Sequence, residues 1–171
     1  MNLPIPRIET ERLLLREWRQ TDLDAFAVLN SDVEVMKYLN NGKPKTRDES
    51  WLEMAIYAGH WSLLGFGLWA IEEKVTGNFI GRIGLLNPEG WPGVEIAWTL
   101  MRSRWGQGFA TEGARAAIQY AFSNLELDHL VSLIDPDNIA SIRVAERLGE
   151  QLEKTLEFRG KSVCVYGIRR T

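Results

Sequence analysis

The chain has 171 residues, of which 45% are hydrophobic and 25% charged, as in ordinary globular proteins and unlike disordered or fibrous ones. Its formal net charge of −3 argues against a nucleic-acid partner, because nucleic-acid-binding domains are usually basic. The single cysteine, Cys164, excludes an intramolecular disulfide and a cysteine-rich metal site, and no metal is expected.

No apolar run reaches the roughly 20 residues of a membrane-spanning helix, so no membrane partner is expected. The segment from Met1 to Glu11 contains two prolines and two acids where a signal peptide would have an apolar core. We therefore expect one cytoplasmic domain over residues 1–171.

The first part of the chain predicts one strand and then helices. An apolar segment centred on Leu14 predicts a strand over residues 8–18. A helix that reaches about Leu64 is predicted from apolar residues at helical spacing. Three residue pairs have the spacing of a helix capping box: Thr21 and Asp24, Ser31 and Glu34, and Thr46 and Glu49.

The second part alternates strands and helices. Two strands, over residues 66–72 and 79–86, flank a hairpin loop. Further strands are predicted over 94–100, 129–134, 152–158 and 163–168, and helices over 108–123 and 138–148. The pattern is that of an α+β or mixed α/β protein.

The segment from Trp105 to Glu112 joins a predicted strand to a predicted helix. Glycines at such a junction let backbone N–H groups converge on an anion at the positive end of the helix dipole. Gly106 and Gly108 therefore indicate a phosphate or pyrophosphate site, with a plain turn as an equal alternative. A Walker P-loop and a dinucleotide-binding loop are excluded, because the segment lacks Gly-Lys-Ser/Thr and a third glycine.

The same segment, W-G-Q-G-F-A-T-E, resembles the acyl-CoA pyrophosphate motif of the GNAT superfamily of N-acetyltransferases, Q/R-x-x-G-x-G/A. Gly108 and Ala110 match, whereas Trp105 replaces the usual Gln or Arg. Residues 135–143 resemble the N-x-x-S motif that follows in this superfamily. The opening E-T-E-R-L-L-L-R at residues 9–16, and residues 157–161, are similar to the RimJ/RimL-like branch, which acetylates the amino termini of ribosomal proteins.

The resemblance implies a central mixed, mostly antiparallel sheet with a splayed parallel strand pair and helices on both faces. It implies acetyl-CoA as co-substrate, with its pantetheine arm along β-strand residues Trp98, Thr99 and Leu100 and beside Asn138. A main-chain N–H near Thr99 or Leu100 would polarise the thioester carbonyl. The pyrophosphate would be bound by six consecutive residues: Gly106, Gln107, Gly108, Phe109, Ala110 and Thr111.

Two residues are candidates for catalysis of acetyl transfer. Glu95 is the candidate base; the alternative is an acid on a half-solvated strand face. Many relatives use a tyrosine acid one helical turn after the serine of N-x-x-S, but Ala145 stands there, so Ser141 is the candidate acid. Its alternative is a hydrogen bond near the cofactor or the helix start.

The expected function is therefore transfer of an acetyl group from acetyl-CoA to a primary amine, either a protein N-terminus or a small molecule. The alternative is a non-catalytic acyl-CoA-binding or sensor module. A homodimer is a further expectation, since dimers are common among similar proteins. The net charge of −3 weakly favours a cationic acceptor.

Overall fold

A computed structural model describes residues 4–171, so residues 1–3 of the predicted domain lie outside the described part. Its helices are α1 (Leu23–Ser31), α2 (Val33–Met36), α3 (Arg47–Leu64), α4 (Phe109–Asn124) and α5 (Ile139–Leu148). Its strands are β1 (Ile8–Glu9), β2 (Leu13–Arg16), β3 (Leu68–Glu73), β4 (Asn78–Leu86), β5 (Glu95–Leu100), β6 (His129–Ile134), β7 (Gln151–Phe158) and β8 (Lys161–Arg169). No helix of this part of the chain has the length and apolar character needed to cross a membrane.

The strands form one sheet in the order β1-β2-β3-β4-β5-β6-β8-β7, in which only β5 and β6 run parallel. Alternate residues along the strands build two cores. Leu68, Ala70 and Ala97 pack with α1 and α3 on one face, whereas Ile83 and Ile96 pack with α4 on the other. The predicted mixed, mostly antiparallel sheet with helices on both faces is confirmed.

The predicted strand over residues 8–18 is wrong in one respect, because it is a hairpin of two short strands. β1 and β2 pair antiparallel, and the chain turns between them. The main-chain N–H of Thr10 donates to the carbonyl of Leu13, and its hydroxyl donates to Glu112 on α4. A contact with a distant helix therefore places this turn, which local periodicity does not indicate.

One of the three predicted capping boxes is correct. Thr46 caps α3, and its N–H donates to the Glu49 carboxylate at 2.7 Å. The box predicted at Thr21 is wrong, because α1 begins at Leu23 after a short 3-10 turn. The box predicted at Ser31 is also wrong, since Ser31 ends α1 and the neighbouring Asp32 caps α2.

Candidate active site

The junction between β5 and α4 can hold an anion on its main chain. Gly106 and Gly108 have φ values of +72° and +83°, in the left-handed region that favours glycine. Gly108 is the N-cap of α4 and provides no side-chain oxygen, so the first N–H groups of the helix have no side-chain cap. Free N–H groups at the positive end of a helix dipole are suited to phosphate.

Two side chains of this loop are already engaged within the protein. The Phe109 ring is buried in the core, and the Gln107 amide donates to the carbonyl of Ser103 at 2.9 Å. Ala110 is only partly buried and contributes no polar side chain, whereas Thr111 brings its hydroxyl to the adjoining cleft. Apart from Thr111, the loop therefore offers a ligand its backbone.

Arg12, at the start of β2, anchors this loop. Its guanidinium donates from Nη1 to the carbonyl of Gln107 at 2.9 Å and from Nε to the Glu112 carboxylate at 2.7 Å. It also lies 4.3 Å from the centre of the Phe109 ring. Sequence reasoning missed this role, although Arg12 and Glu112 both lie within the quoted motifs, because nothing in the sequence shows that the two segments meet.

A cleft of about 1000 Å³ extends from this loop along α4. The N-terminal hairpin forms one wall, and Thr111, Arg115 and Arg147 contribute to the lining. The Arg115 guanidinium donates to the main-chain carbonyl of Arg147 at 3.3 Å, which links α4 to α5 at this point of the cleft. Glu9 and Glu11 of the hairpin also line the cleft, so its positive charge is confined to the α4–α5 side, where arginines can bind phosphate groups.

β5 and β6 separate soon after they begin, which confirms the predicted splayed pair. Their register contains a single pair, Glu95 with Val131, and the N–H of Val131 donates to the carbonyl of Val94 at 2.9 Å. Farther along β5, residues 98–100 pair with β4 only. The gap beside them is a place where an extended ligand can pair with exposed backbone.

The predicted pantetheine residues Trp98, Thr99 and Leu100 thus all lie beside this gap. The carbonyl of Leu100 already accepts a hydrogen bond from the Trp105 indole at 2.9 Å. Trp105, which stands at the Gln or Arg position of the family motif, therefore closes the turn that leads into the anion site.

Glu95 lies at the narrow end of the gap, on the face of the sheet that α1 and α3 cover. Its carboxylate accepts hydrogen bonds from the Trp91 indole at 2.7 Å and from the N–H of Leu133 at 3.4 Å. Burial raises the pKa of Glu95 despite these two donors. An acid with a raised pKa in a partly closed site has the properties of a proton acceptor for an amine.

The first turn of α5 carries the other predicted residues. The Asn138 side chain caps the helix, because its Oδ1 accepts from the N–H of Ser141 at 3.2 Å. Its amide nitrogen remains for a second partner. Ser141 uses its main chain in this cap, which leaves its hydroxyl free to act elsewhere. α5 packs with Trp98 on the face opposite Glu95, so the gap separates the two candidate catalytic residues.

Sequence reasoning also missed Trp91, which is the nearest partner of Glu95. Its ring lies 5.0 Å from the centre of the Phe158 ring and 4.4 Å from the Arg159 guanidinium. The loop before β5 therefore meets the β7–β8 hairpin above the Glu95 carboxylate. The aromatic and cationic residues at 157–161 gave a branch resemblance, but no local pattern indicated this contact.

Relatives match nearly the whole chain. YkkB of Bacillus subtilis (strain 168) is 34% identical over 168 residues, which cover 94% of each chain. The N-acetyltransferase p20 of Bacillus licheniformis is 33% identical and covers 92% of this chain and 91% of its own. A crystal structure of an acetyltransferase from Agrobacterium tumefaciens str. C58 superposes with a TM-score of 0.87 at 30% identity, covering 99% and 98% of the two chains.

Two other solved structures share the fold at lower identity. RimL, a ribosomal L7/L12 alpha-N-protein acetyltransferase in complex with coenzyme A, has a TM-score of 0.81 at 19% identity and covers 96% and 98% of the two chains. Spermidine N-acetyltransferase from Vibrio cholerae, with CoA and spermine, has a TM-score of 0.75 at 24% identity and covers 94% and 96%.

The family model for the acetyltransferase (GNAT) domain matches residues 12–151. This range spans the anchoring Arg12, the gap between β5 and β6, the anion site and the first turn of α5. The GNAT family uses acetyl-CoA, and the cleft and gap fit its phosphates and its extended arm. The chain belongs to the GNAT acetyltransferase family and is an acyltransferase.

Proposed function

We propose that the protein is an N-acetyltransferase of the RimJ/RimL-like branch that moves an acetyl group from acetyl-CoA to a primary amine. The observation that carries the proposal is the position of the β5–β6 gap between the backbone anion site and the Glu95 carboxylate. The end of the gap near the anion site suits phosphates, and the end near Glu95 suits an amine. The sequence-based expectation of a cytoplasmic protein stays part of the proposal.

The anion site and the cleft hold the phosphates of acetyl-CoA in this proposal. The main chain of residues 106–111 binds the pyrophosphate, and Arg115 and Arg147 add positive charge beside it. The pantetheine arm pairs with Trp98, Thr99 and Leu100 along the unpaired edge of β5. The free amide nitrogen of Asn138 donates to this arm from the other side of the gap.

Glu95 acts as the base. The acceptor nitrogen must be neutral before it attacks the thioester carbonyl carbon, and it passes its proton to the Glu95 carboxylate. Deprotonating a lysine-like amine at pH 7 costs about 4–5 kcal/mol, whereas an α-amino group costs about 1 kcal/mol. The raised pKa of Glu95 brings the proton affinity of its carboxylate closer to that of the amine, which makes the proton transfer less unfavourable.

Ser141 acts as the acid. As the bond between the acetyl carbon and the amine nitrogen forms, the carbon–sulfur bond breaks and leaves a thiolate. Ser141 donates its hydroxyl proton to that sulfur. A main-chain N–H near Thr99 or Leu100 stabilises the charge on the carbonyl oxygen during the attack.

The acceptor is a protein N-terminal amine or a small-molecule amine. RimL and the spermidine enzyme share this fold and differ in the acceptor that their names state, so the fold serves both kinds. The motifs at residues 9–16 and 157–161 support the RimJ/RimL-like branch.

Titration calorimetry and a thiol-release assay test the proposal together. We expect micromolar binding of acetyl-CoA and CoA, no comparable binding of ATP, and release of free CoA thiol when a suitable amine is added. Binding without amine-dependent release would favour the sensor alternative. Absence of binding would show that the loop at residues 106–111 is only a turn.

A further inference from the structure

Arg82, in the middle of β4, is a buried cation without a close counter-ion. It is only 9% exposed. Its Nε is sealed from solvent and has no hydrogen-bond partner. Within residues 4–171, no carboxylate oxygen forms an ion pair with its guanidinium at 4.0 Å or less. Buried charges in proteins are normally paired, so this one requires an explanation.

The other inward-facing arginines of the chain are paired. Arg16, which is 3% exposed, donates to both carboxylate oxygens of Asp22 and to the Glu72 carboxylate. Arg104 also has a sealed, unpaired Nε, but its Nη2 contacts Glu73 at 2.9 Å. Arg82 is therefore the exception among these three guanidinium groups.

Arg82 projects from the same face of the sheet as Glu95. It lies opposite Thr99 in the register of β4 and β5, and Glu95 precedes Thr99 by four residues on the same strand. Directly paired residues share a face, as do residues an even number apart along a strand. The unpaired guanidinium therefore belongs to the side of the sheet on which the proposed base lies.

Arg82 interacts electrostatically with two carboxylates, Glu53 and Glu95, and against the effect of burial acts to lower the pKa of each, but it forms no ion pair with either at 4.0 Å or less. Tyr57 of α3 lies over the guanidinium, with its ring centre 5.2 Å away, and donates from its hydroxyl to Glu53 at 2.6 Å. Glu53 already pairs with Lys45 at 2.7 Å and accepts a hydrogen bond from Asn30. The hydrogen bonds and the ion pair of Glu53 are thus formed with Tyr57, Asn30 and Lys45, which leaves the Arg82 guanidinium without a carboxylate hydrogen bond.

We propose that Arg82 binds a carboxylate of the acceptor, so that the substrate is an amine that also carries a carboxylate group. This inference rests on the proposed function, in which the amine lies at Glu95. The sealed Nε leaves the two terminal nitrogens as donors, and a carboxylate fits this pair end-on. A monoanionic carboxylate adds less negative charge near Glu53 and Glu95 than a phosphate dianion would.

The first experiment uses the unmodified protein and matched acceptors. Amino carboxylates with two to six carbons between the amine and the carboxylate are compared with the amino carboxamides of the same length, by CoA thiol release. We expect kcat/KM to be about ten- to a hundredfold higher for the best carboxylate than for its carboxamide, as for a charge-assisted hydrogen bond. The best chain length then measures the span between the two groups.

Variants assign the preference to Arg82. In Arg82→Gln the carboxylate-to-carboxamide ratio should fall to about one, and Arg82→Lys should retain part of it. Arg47→Gln removes an exposed arginine at the start of α3 and should keep the full ratio. A wild-type ratio near one, or an unchanged ratio in Arg82→Gln, would overturn the inference while acetyl transfer itself stands. Acetyl-CoA binding without transfer to any amine would overturn the proposed function as well.

Discussion

Ser132 on β6 donates a hydrogen bond from its hydroxyl to the carbonyl of Ile96 on β5, at 2.9 Å. Main-chain pairing of these strands stops at Val131, so a side chain forms the last link before the gap. Behind it, the Glu150 carboxyl lies 3.1 Å from the same hydroxyl, and its second oxygen is buried without a partner. The Ser132 hydroxyl has one hydrogen, which it donates to the carbonyl of Ile96. Glu150 can therefore form a hydrogen bond with this hydroxyl only when its carboxyl group is protonated and acts as the donor.

This arrangement predicts that Glu150→Gln increases stability at high pH. Burial raises the pKa of Glu150 from 4.5 to about 7 in the folded protein. Stability due to this acid is thus complete below pH 4.5 and decreases as pH rises through 7. The variant should match the wild type at pH 4.5 and exceed its free energy of unfolding by up to about 3 kcal/mol at pH 8.

Denaturant unfolding between pH 4.5 and 8 measures this difference. Glu157→Gln replaces an exposed acid on β7 and serves as the control, with a pH dependence like that of the wild type. Parallel stability curves for Glu150→Gln and the wild type would show that Glu150 ionises in the folded protein as it does in the unfolded chain.

Loss of the Arg12 anchor should weaken cofactor binding. Arg12→Met removes the bonds to Gln107 and Glu112 but keeps an apolar side chain on Phe109. We expect the Kd for CoA to rise about tenfold, as for loss of a charge-assisted hydrogen bond. Calorimetric titration measures it, with Arg7→Met as control because Arg7 forms an exposed pair with Glu17. Equal Kd values for the two variants would remove the anchor role.

The Trp91 indole should set the pH at which the enzyme becomes active. Its hydrogen bond favours ionised Glu95, so Trp91→Phe should raise the pKa of that acid further and move the acid limb of the kcat/KM profile to higher pH. Glu95→Gln should lower the rate by about 10²–10⁴ and abolish that limb. An unchanged profile in both variants would exclude Glu95 as the base.

Substitutions of Ser141 and Asn138 should differ in their effect on the stability of the protein. Ser141→Ala keeps the main-chain N–H that the cap uses, so stability and CoA affinity should hold while kcat falls about 10²-fold or more. Asn138→Ala removes the cap and should cost about 1 kcal/mol of stability. Thermal unfolding and steady-state kinetics distinguish the two. A Kd that rises with kcat intact in Ser141→Ala would make it a binding residue.

Local patterns predicted the regular parts of the fold well. The strand predicted over 94–100, the Thr46 cap and the helix predicted over 138–148 depend on neighbouring residues only, and the structure confirms them. Each of the two wrong capping boxes was placed one residue before the N-cap that the structure shows, where a hydroxyl residue adjoins an acid. Spacing alone cannot choose between such neighbours, because either side chain can accept the bond.

The candidate site was predicted only where one segment contains it. The anion loop and the Asn138–Ser141 turn are each continuous in the sequence. The anchors at Arg12 and Trp91, and the isolation of Arg82, depend on contacts between distant segments. The role of Arg82 in particular could not be predicted from the sequence, because it is inferred from the absence of a carboxylate partner in the folded protein.

Glu112 joins parts of the chain that are synthesised far apart, because its contacts with Thr10 and Arg12 span 102 and 100 residues. The anion loop therefore has its final form only when the first hairpin is docked on α4, and forming this contact requires closure of a long loop of chain. Docking of the hairpin favours ligand binding at the loop, and ligand binding favours docking in turn. A ligand that binds the docked loop must stabilise the docked hairpin by the same free energy, so bound acetyl-CoA should protect the N-terminal segment from proteolysis.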